Sequence, residues 1–263
     1  MSQQSATMQS VKIATWNVAY GVSRSRNVRI LEEMERVDAD IWVLTETHDD
    51  LRPPTSGTWK PITSADRPRE ARDIKEGSRW PTIWSRLPII ETLRPDYDPV
   101  RSTAGIFETP LGNLLVFGTV LPWYQDHGRS VVQEIARQSE DWTNMLNSRR
   151  DLSLCVAGDF NVNLGGPHYY GSDEGKESVR RALTESGLVA LTDFENTGPV
   201  QSGEFGLIDH IAISESFASM ASSPDVWQRE NSRGGVMSDH CGVAIEFFER
   251  FSGSGFSANG LVR

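Results

Sequence analysis

Leu152-Ser153-Leu154-Cys155-Val156-Ala157-Gly158-Asp159-Phe160-Asn161 is the stretch on which the fold of this chain turns. A short apolar run closed by glycine predicts a buried strand over 152–158 that turns tightly at Gly158. Residues two apart on an extended segment point the same way, so Asp159 and Asn161 face one site while Phe160 turns into the core. A carboxylate there can align an attacking water, and a neutral amide can donate to a phosphate oxygen without adding negative charge. Taken alone, Asp-Phe-Asn reads equally well as an Asx turn closing a strand.

The same grammar recurs in both directions along the chain. Val11–Thr15 runs into Trp16-Asn17-Val18, and Ile41–Leu44 runs into Thr45-Glu46-Thr47. Asp209 lies inside the apolar run Leu207-Ile208-Asp209-His210-Ile211, and Ser238-Asp239-His240 precedes the run 241–248. Polar residues at successive strand ends are what a fold needs to gather distant carboxylates around one ion. Glu46 is well placed to bind a hard cation such as Mg²⁺ or Mn²⁺, with Asn17 supporting through its amide oxygen. Each has a plainer reading, a solvated strand end for Glu46 and a backbone-capping amide for Asn17. Asp239 and His240 can divide the work, one carboxylate near the metal and one imidazole on the scissile phosphate. Asp209 is the candidate to orient His240, because a lone charge inside an apolar strand is costly. His210 points to the opposite face and reads as structural. His48, His127 and His168 read as surface-loop histidines.

Around these motifs the pattern alternates. Strands are predicted at 11–16, 41–45, 81–85, 103–109, 113–120, 152–158, 207–213 and 241–248, and helices near 25–37, 129–147 and 175–187. Pro110-Leu111-Gly112-Asn113 joins the middle pair of strands as a turn. The polar, Pro- and Arg-rich stretch 49–79 reads as an excursion over the surface. Residues 1–10 are expected to be a disordered leader and 251–263 a flexible Gly/Ser-rich tail, leaving one domain over 11–250. Strands interspersed with helices fit an α/β fold, a four-layered sandwich of two facing mixed sheets flanked by helices.

The totals bound the partners. A chain of 263 residues, 38% hydrophobic and 24% charged, suits one large domain. Cys155 and Cys241 sit in apolar runs and read as buried thiols of a reducing compartment, not a disulfide framework. No basic start followed by an apolar stretch marks a secretory signal, and no run is long enough to cross a membrane, so the expectation is a cytoplasmic monomer without membrane insertion. The net charge of −10 weighs against non-specific duplex binding, although carboxylates gathered at a metal site would account for part of it. Only Lys12, Lys60, Lys75 and Lys176 are lysines among 26 basic residues, and the arginines that remain favour forked contacts to phosphate.

At this point the stretches TWNV, LTET, GDFN, LIDHI and SDHCGVAIEF resemble the endonuclease/exonuclease/phosphatase superfamily, from residue 11 to about residue 248. The resemblance implies the four-layered sandwich and hydrolysis of phosphate esters with Mg²⁺ or Mn²⁺. It also implies metal-site positions at Asn17, Glu46 and Asp239. Asp159 is implied as the residue that orients water, Asn161 as a donor to the transition-state phosphate, and Asp209 with His240 as the carboxylate–imidazole pair on the phosphate. One position departs from the pattern: members place a tyrosine or histidine at the end of the central strand, where this chain has Leu121. Two readings stay open there. Tyr124 or His127 reaches in from the following loop, although His127 reads first as a surface residue, or the role is missing and activity is reduced. The stretch 163–171 would line the mouth of the site, where Tyr169 and Tyr170 either stack on a base or sugar or pack the loop. The partner expected is a phosphate ester, nucleic acid among the possibilities. The alternatives are a small-molecule or lipid-headgroup phosphatase, favoured by a narrow pocket lined by Arg79 and Arg101, and a non-catalytic binding module.

Overall fold

The computed structural model describes residues 9–21, 23–54, 58–67, 75–123, 130–149, 151–200 and 206–249. Two six-stranded mixed sheets lie face to face. The first contains β1 (Ser10–Asn17), β2 (Ile41–His48), β3 (Lys60–Thr63), β4 (Ser78–Ser85), β11 (Asp225–Trp227) and β12 (Gly242–Phe248), in the order β11-β12-β1-β2-β4-β3. The second contains β5 (Ile89–Leu93), β6 (Ser102–Thr109), β7 (Gly112–Val120), β8 (Ser153–Asp159), β9 (Leu188–Ala190) and β10 (Asp209–Ser214), in the order β5-β6-β7-β8-β10-β9. Each sheet has one parallel pair, β1 with β2 and β7 with β8.

Alternation along the strands sorts side chains into layers. On β1, Val11 and Ile13 point between the sheets, where they meet Val43, Ile83, Val116, Ala157 and Ile211. Ala14 and Trp16 point the other way and pack under α1 (Arg24–Val37) through Ile30, Met34 and Val37. Beyond the second sheet, Leu154, Val156 and Phe117 are covered by α2 (Val131–Asn147) and α3 (Asp173–Glu185) through Ile135, Trp142, Val179 and Leu183. Helix, sheet, sheet and helix make four layers, as the strand pattern implies. α1 starts where the Ser23 hydroxyl accepts from the Arg26 amide, and α3 where Ser172 accepts from Gly175.

Four sequence expectations change. The stretch 49–79 is not only a surface excursion: Lys60–Thr63 pairs with β4 at the sheet edge, the place where Pro61 is tolerated in a strand. β5 is an additional edge strand, its alternation blurred by three exposed residues. His48 is the last residue of β2 instead of a loop residue, its ring bonded to the Glu76 carbonyl and the Asp50 amide. Ser10, expected in the leader, already belongs to β1; residues 1–8, the tail 251–263, Tyr124 and His127 lie outside the described residues.

One edge of the sandwich collects the site. β1, β2, β7 and β8 end there, while β4, β6, β10 and β12 begin there. Across the gap β12 faces β10, β1 faces β8 and β10, β2 faces β7 and β8, and β4 faces β6 and β7. The cleft therefore runs from a β10/β12 end, through a β1/β8 middle, to a β4/β6 end.

Candidate active site

Asp159 and Asp209 are register partners on adjacent strands, so two carboxylates are set side by side at the end of the second sheet. Like charges so placed repel unless something comes between them. Asn17, at the end of β1 opposite, does so. Its backbone N–H donates to Asp209 Oδ1 at 3.0 Å and its Nδ2 donates to Asp159 Oδ2 at 3.1 Å. Its side-chain oxygen accepts from the Ala19 amide at 2.9 Å, and its side chain lies where it favours the ionised form of Glu46. Asn17 is thus the hub that ties the two sheets together at the site.

His240 stands over Asp209, Nδ1 to Oδ2 at 2.6 Å. Three contacts fix the loop that carries it. The Trp16 indole donates to the His240 carbonyl, the Ser238 hydroxyl donates to the Asn17 carbonyl at 2.5 Å, and the His240 amide donates to Ser238 Oγ. Arg26, from the first turn of α1, donates to the carbonyls of Met237 and Val18 and sits in the field of Asp239 and Glu46. Neither Ser238 nor Arg26 was selected by strand-end reasoning; the only available signal was that Ser238 adjoins Asp239.

The chain does not turn at Gly158 as the sequence suggested; β8 runs through it, and Gly158 brings Asp159 into place as the last residue of the strand. Gly158 has a φ of +140°, and a Cβ there would lie 1.9 Å from the Thr119 carbonyl oxygen, so only glycine lets β8 approach β7 this closely. Both readings of Asp-Phe-Asn hold at once. Asp159 Oδ1 accepts from the Asn161 amide, an Asx turn, while Asp159 also faces the site. Asn161, in left-handed backbone (φ 51°), spends one amide hydrogen on the Leu121 carbonyl at 2.8 Å. Phe160 is fully buried, and His210 is buried on the opposite face, bonded to the Val162 carbonyl and to Thr192. Glu46 lies within β2 and not at its end, held in left-handed backbone at φ 45°, a strained conformation of the kind found at functional sites.

Burial sets the protonation. It pushes Asp159 up to about 7 against the pull of His240. It raises Glu46 as well, opposed by the Asn17 hydrogen bond and the His240 charge. For His240, burial disfavours the cation, but the carboxylates of Asp209 and Asp159 outweigh it and raise the imidazole to about 10. His240 is therefore an imidazolium at neutral pH, with Asp159 near its titration point.

Beside His240, at the β10/β12 end, lies a cavity of about 260 Å³ lined by Tyr169, Tyr170, Arg229, Asp209 and Asp239 among others. Asn163 shapes this wall: its amide bonds the carbonyls of Gly165 and Pro167 and accepts from the amides of Tyr169 and Tyr170. Arg229 donates to the Tyr169 hydroxyl. Leu121, where a ring donor was expected, is fully buried. Arg79 is committed elsewhere, forked onto Asp49 and paired with Asp66, so it lines no phosphate pocket. His168 contacts Lys176 and Asp173 away from the catalytic cluster.

Two stacked mixed sheets with carboxylates, an amide and an imidazole converging on one edge define the class, the α/β-sandwich hydrolases of phosphate esters. The sequence matches the model of the Endonuclease/Exonuclease/phosphatase family over residues 14–240, and the chain belongs to that family. No curated protein matches it. Similar solved structures include an AP endonuclease from Leishmania major (15% identity, TM-score 0.66, 92% of this chain and 89% of that one). A 3′-5′ exonuclease from Neisseria meningitidis is 20% identical (TM-score 0.64, 90% and 99%). A 3′ phosphatase from Neisseria bound to a product DNA hairpin is 19% identical (TM-score 0.65, 90% and 99%). Among the described residues no helix is long and apolar enough to cross a membrane.

Proposed function

We propose that this chain is a divalent-metal-dependent phosphodiesterase of endonuclease type. The observation that carries the reading is the Asp209–His240 pair, which Asn17 links to Asp159 at the edge where strands of both sheets converge.

The donor set fits a hard cation. Ligand atoms of Asp159, Asp209 and His240 lie within 4.8 Å of one another, close enough to share an ion. Yet both oxygens of Asp159 and both of Asp209 already accept hydrogen bonds from Asn161, Asn17 and His240. Glu46 and Asp239 keep more free donor capacity, and burial makes an ionised Glu46 costly without a cation beside it. Glu46 and Asp239, with Asn17 behind them, would hold Mg²⁺ or Mn²⁺. When bound there, the ion neutralises charge that develops on the phosphoryl oxygens.

The remaining roles belong to the chain. Asp159, poised near neutrality, accepts the proton of the attacking water as it closes on phosphorus opposite the leaving oxygen. Asp209 fixes the His240 ring through Nδ1, which leaves the protonated Nε2 to donate to a phosphate oxygen. The second amide hydrogen of Asn161 is available for the same phosphate. The likeness to an AP endonuclease, a 3′-5′ exonuclease and a 3′ phosphatase bound to a product DNA hairpin supports nucleic-acid strands as the first substrates to try.

The test is hydrolysis of bis-p-nitrophenyl phosphate, p-nitrophenyl phosphate, and single- and double-stranded DNA and RNA, with and without Mg²⁺ or Mn²⁺, and with His240→Ala in parallel. Metal-dependent cleavage of diesters, lost in the variant, is expected. Cleavage of monoesters alone would replace the reading with a phosphatase, and metal binding without turnover on any substrate would replace it with a binding module.

A further inference from the structure

α2 lies across the outer face of the second sheet, and the stripe it buries there contains a polar residue. Gln138 is 2% exposed, three positions after Ile135 and four before Trp142, both fully buried. That spacing puts all three on one face of the helix. An amide on such a face is costly to bury unless it is hydrogen-bonded, and a leucine would fill the stripe without that cost. Gln138 is fully engaged. Its Nε2 donates to Thr119 Oγ1 at 2.8 Å and to the Val120 carbonyl at 3.0 Å, with Ser102 Oγ a third acceptor at 3.2 Å. The Val120 carbonyl can only accept, so the amide nitrogen and not its oxygen faces the end of β7.

The strand end that Gln138 grips runs straight into the candidate active site. The Val120 carbonyl and the Leu121 N–H belong to one planar peptide group. Gln138 holds its carbonyl side, and its N–H side donates to the Asp159 carbonyl at 2.9 Å. The next carbonyl along, that of Leu121, accepts from Asn161 Nδ2 at 2.8 Å. A side-chain amide is flat, so the hydrogen spent on Leu121 fixes the direction of the other, the one assigned to the phosphate. Residue 121, which lacks the expected ring, thus serves the site through its backbone. The same helix also steadies the neighbouring strand. Ser102, bonded to Thr119 at 3.0 Å, opens β6, and Asp141, one turn after Gln138, accepts from the amides of Asp96, Tyr97 and Asp98.

We propose that Gln138 is a positioning residue for the phosphate-ester chemistry: from outside the cleft it fixes the Val120–Leu121 peptide, and through it the amide of Asn161. This rests on the phosphoesterase reading above and deepens it by assigning part of the site's geometry to α2.

The experiment is a double-mutant cycle on bis-p-nitrophenyl phosphate with Mn²⁺, using the wild type, Gln138→Met, Asn161→Ala and the two together. Methionine keeps the length of the side chain and removes the donor. Gln138→Met should lower kcat by at least about tenfold with KM within about twofold, because orientation of a transition-state donor is lost and not ground-state binding. In the Asn161→Ala background the same substitution should cost less than about twofold, since the group it acts through is gone. A wild-type kcat for Gln138→Met overturns the inference. So do equal losses in both backgrounds, which a general loosening of α2 would give.

A second measurement needs neither turnover nor metal. In proton–nitrogen correlation spectra the side-chain amide pair of Asn161, assigned by its absence from Asn161→Ala, should shift in Gln138→Met. The Asn17 pair, assigned in the same way from Asn17→Asp, should stay in place. An unmoved Asn161 pair, or equal movement of both, overturns the inference. Where Gln138→Met fails to fold by circular dichroism, Gln138→Asn, which leaves the amide one methylene short of β7, takes its place in both measurements. A shifted Asn161 pair in a protein that hydrolyses nothing would retain the link from Gln138 to Asn161 and sink the hydrolase reading. Turnover with equal losses in both backgrounds would do the reverse.

Discussion

The two ends of the cleft are held by different forces. From the β10/β12 end to the β1/β8 middle, Asp209, Asp159, Asn17 and His240 are joined by directional hydrogen bonds between 2.6 and 3.1 Å, and Asp209, Asp159 and Asn17 are each 1% exposed. At the β4/β6 end, Arg67 and Arg101 lie on indole and phenol faces at 3.8 to 5.3 Å. Hydrogen bonds fix angle as well as distance, which reacting groups require. Ring-stacked cations tolerate small displacements. On the proposed function, damage at the hydrogen-bonded cluster should therefore cost the most activity.

The largest effect tests the rigid end. Asp159→Asn removes the proposed proton acceptor and should lower kcat by about 10²–10⁴-fold with the fold intact by circular dichroism. A wild-type rate would take Asp159 out of the mechanism. His240→Ala should fall in the same range. Next comes the glycine that delivers Asp159. Gly158→Ala must open the β7–β8 approach at Thr119, so a loss of at least ~2 kcal/mol in chemical denaturation is expected, and an unchanged midpoint would show that the strand can relax.

Glu46→Gln sits between the two ends. It should raise the Mg²⁺ or Mn²⁺ concentration needed for half-maximal activity by at least ~10-fold, and a superimposable metal titration would reduce Glu46 to a structural role.

The smallest effect is on pH. Asp159 and His240 both have folded pKa values above their ordinary ones, so each binds its proton more tightly in the folded state. The stabilisation is complete below the unfolded value and is lost as pH rises through the folded one, from 3.8 to about 7 for Asp159 and from 6.5 to about 10 for His240. Thermal melts of the protein in chelator should therefore drop as pH climbs through these windows. Asp159→Asn should flatten the lower one; equal slopes in both proteins would mean that another group sets it.

Much of this was legible in the chain. The runs before Asn17, Glu46 and Asp159 gave up their strands because alternation and apolar length are local signals, and the paired sheets followed from their number. Local signals failed where strands were short or exposed: β5 has three exposed residues, β9 and β11 have three residues each, and β3 contains proline at a sheet edge. Glu46 was expected at the end of a strand and lies within β2, and its left-handed backbone has no signature in a non-glycine residue. Arg26, Ser238 and Asn163 act by hydrogen-bonding backbone carbonyls and amides of the site, contacts that residue type alone does not announce.

The sequence by itself determined the two-sheet sandwich and which seven side chains stand near strand ends: Asn17, Glu46, Asp159, Asn161, Asp209, Asp239 and His240. Period-two burial and glycine turns are written in consecutive residues, and a strand end is a position along the chain. Only the tertiary structure decided that Asn17 bridges both carboxylates, that Asp209 meets His240 across 31 positions, and that Arg67, Trp80, Arg101 and Trp123 share one end of the cleft. Those meetings depend on strand order and on which sheet faces which, and both are set by packing of the whole core and not by any segment.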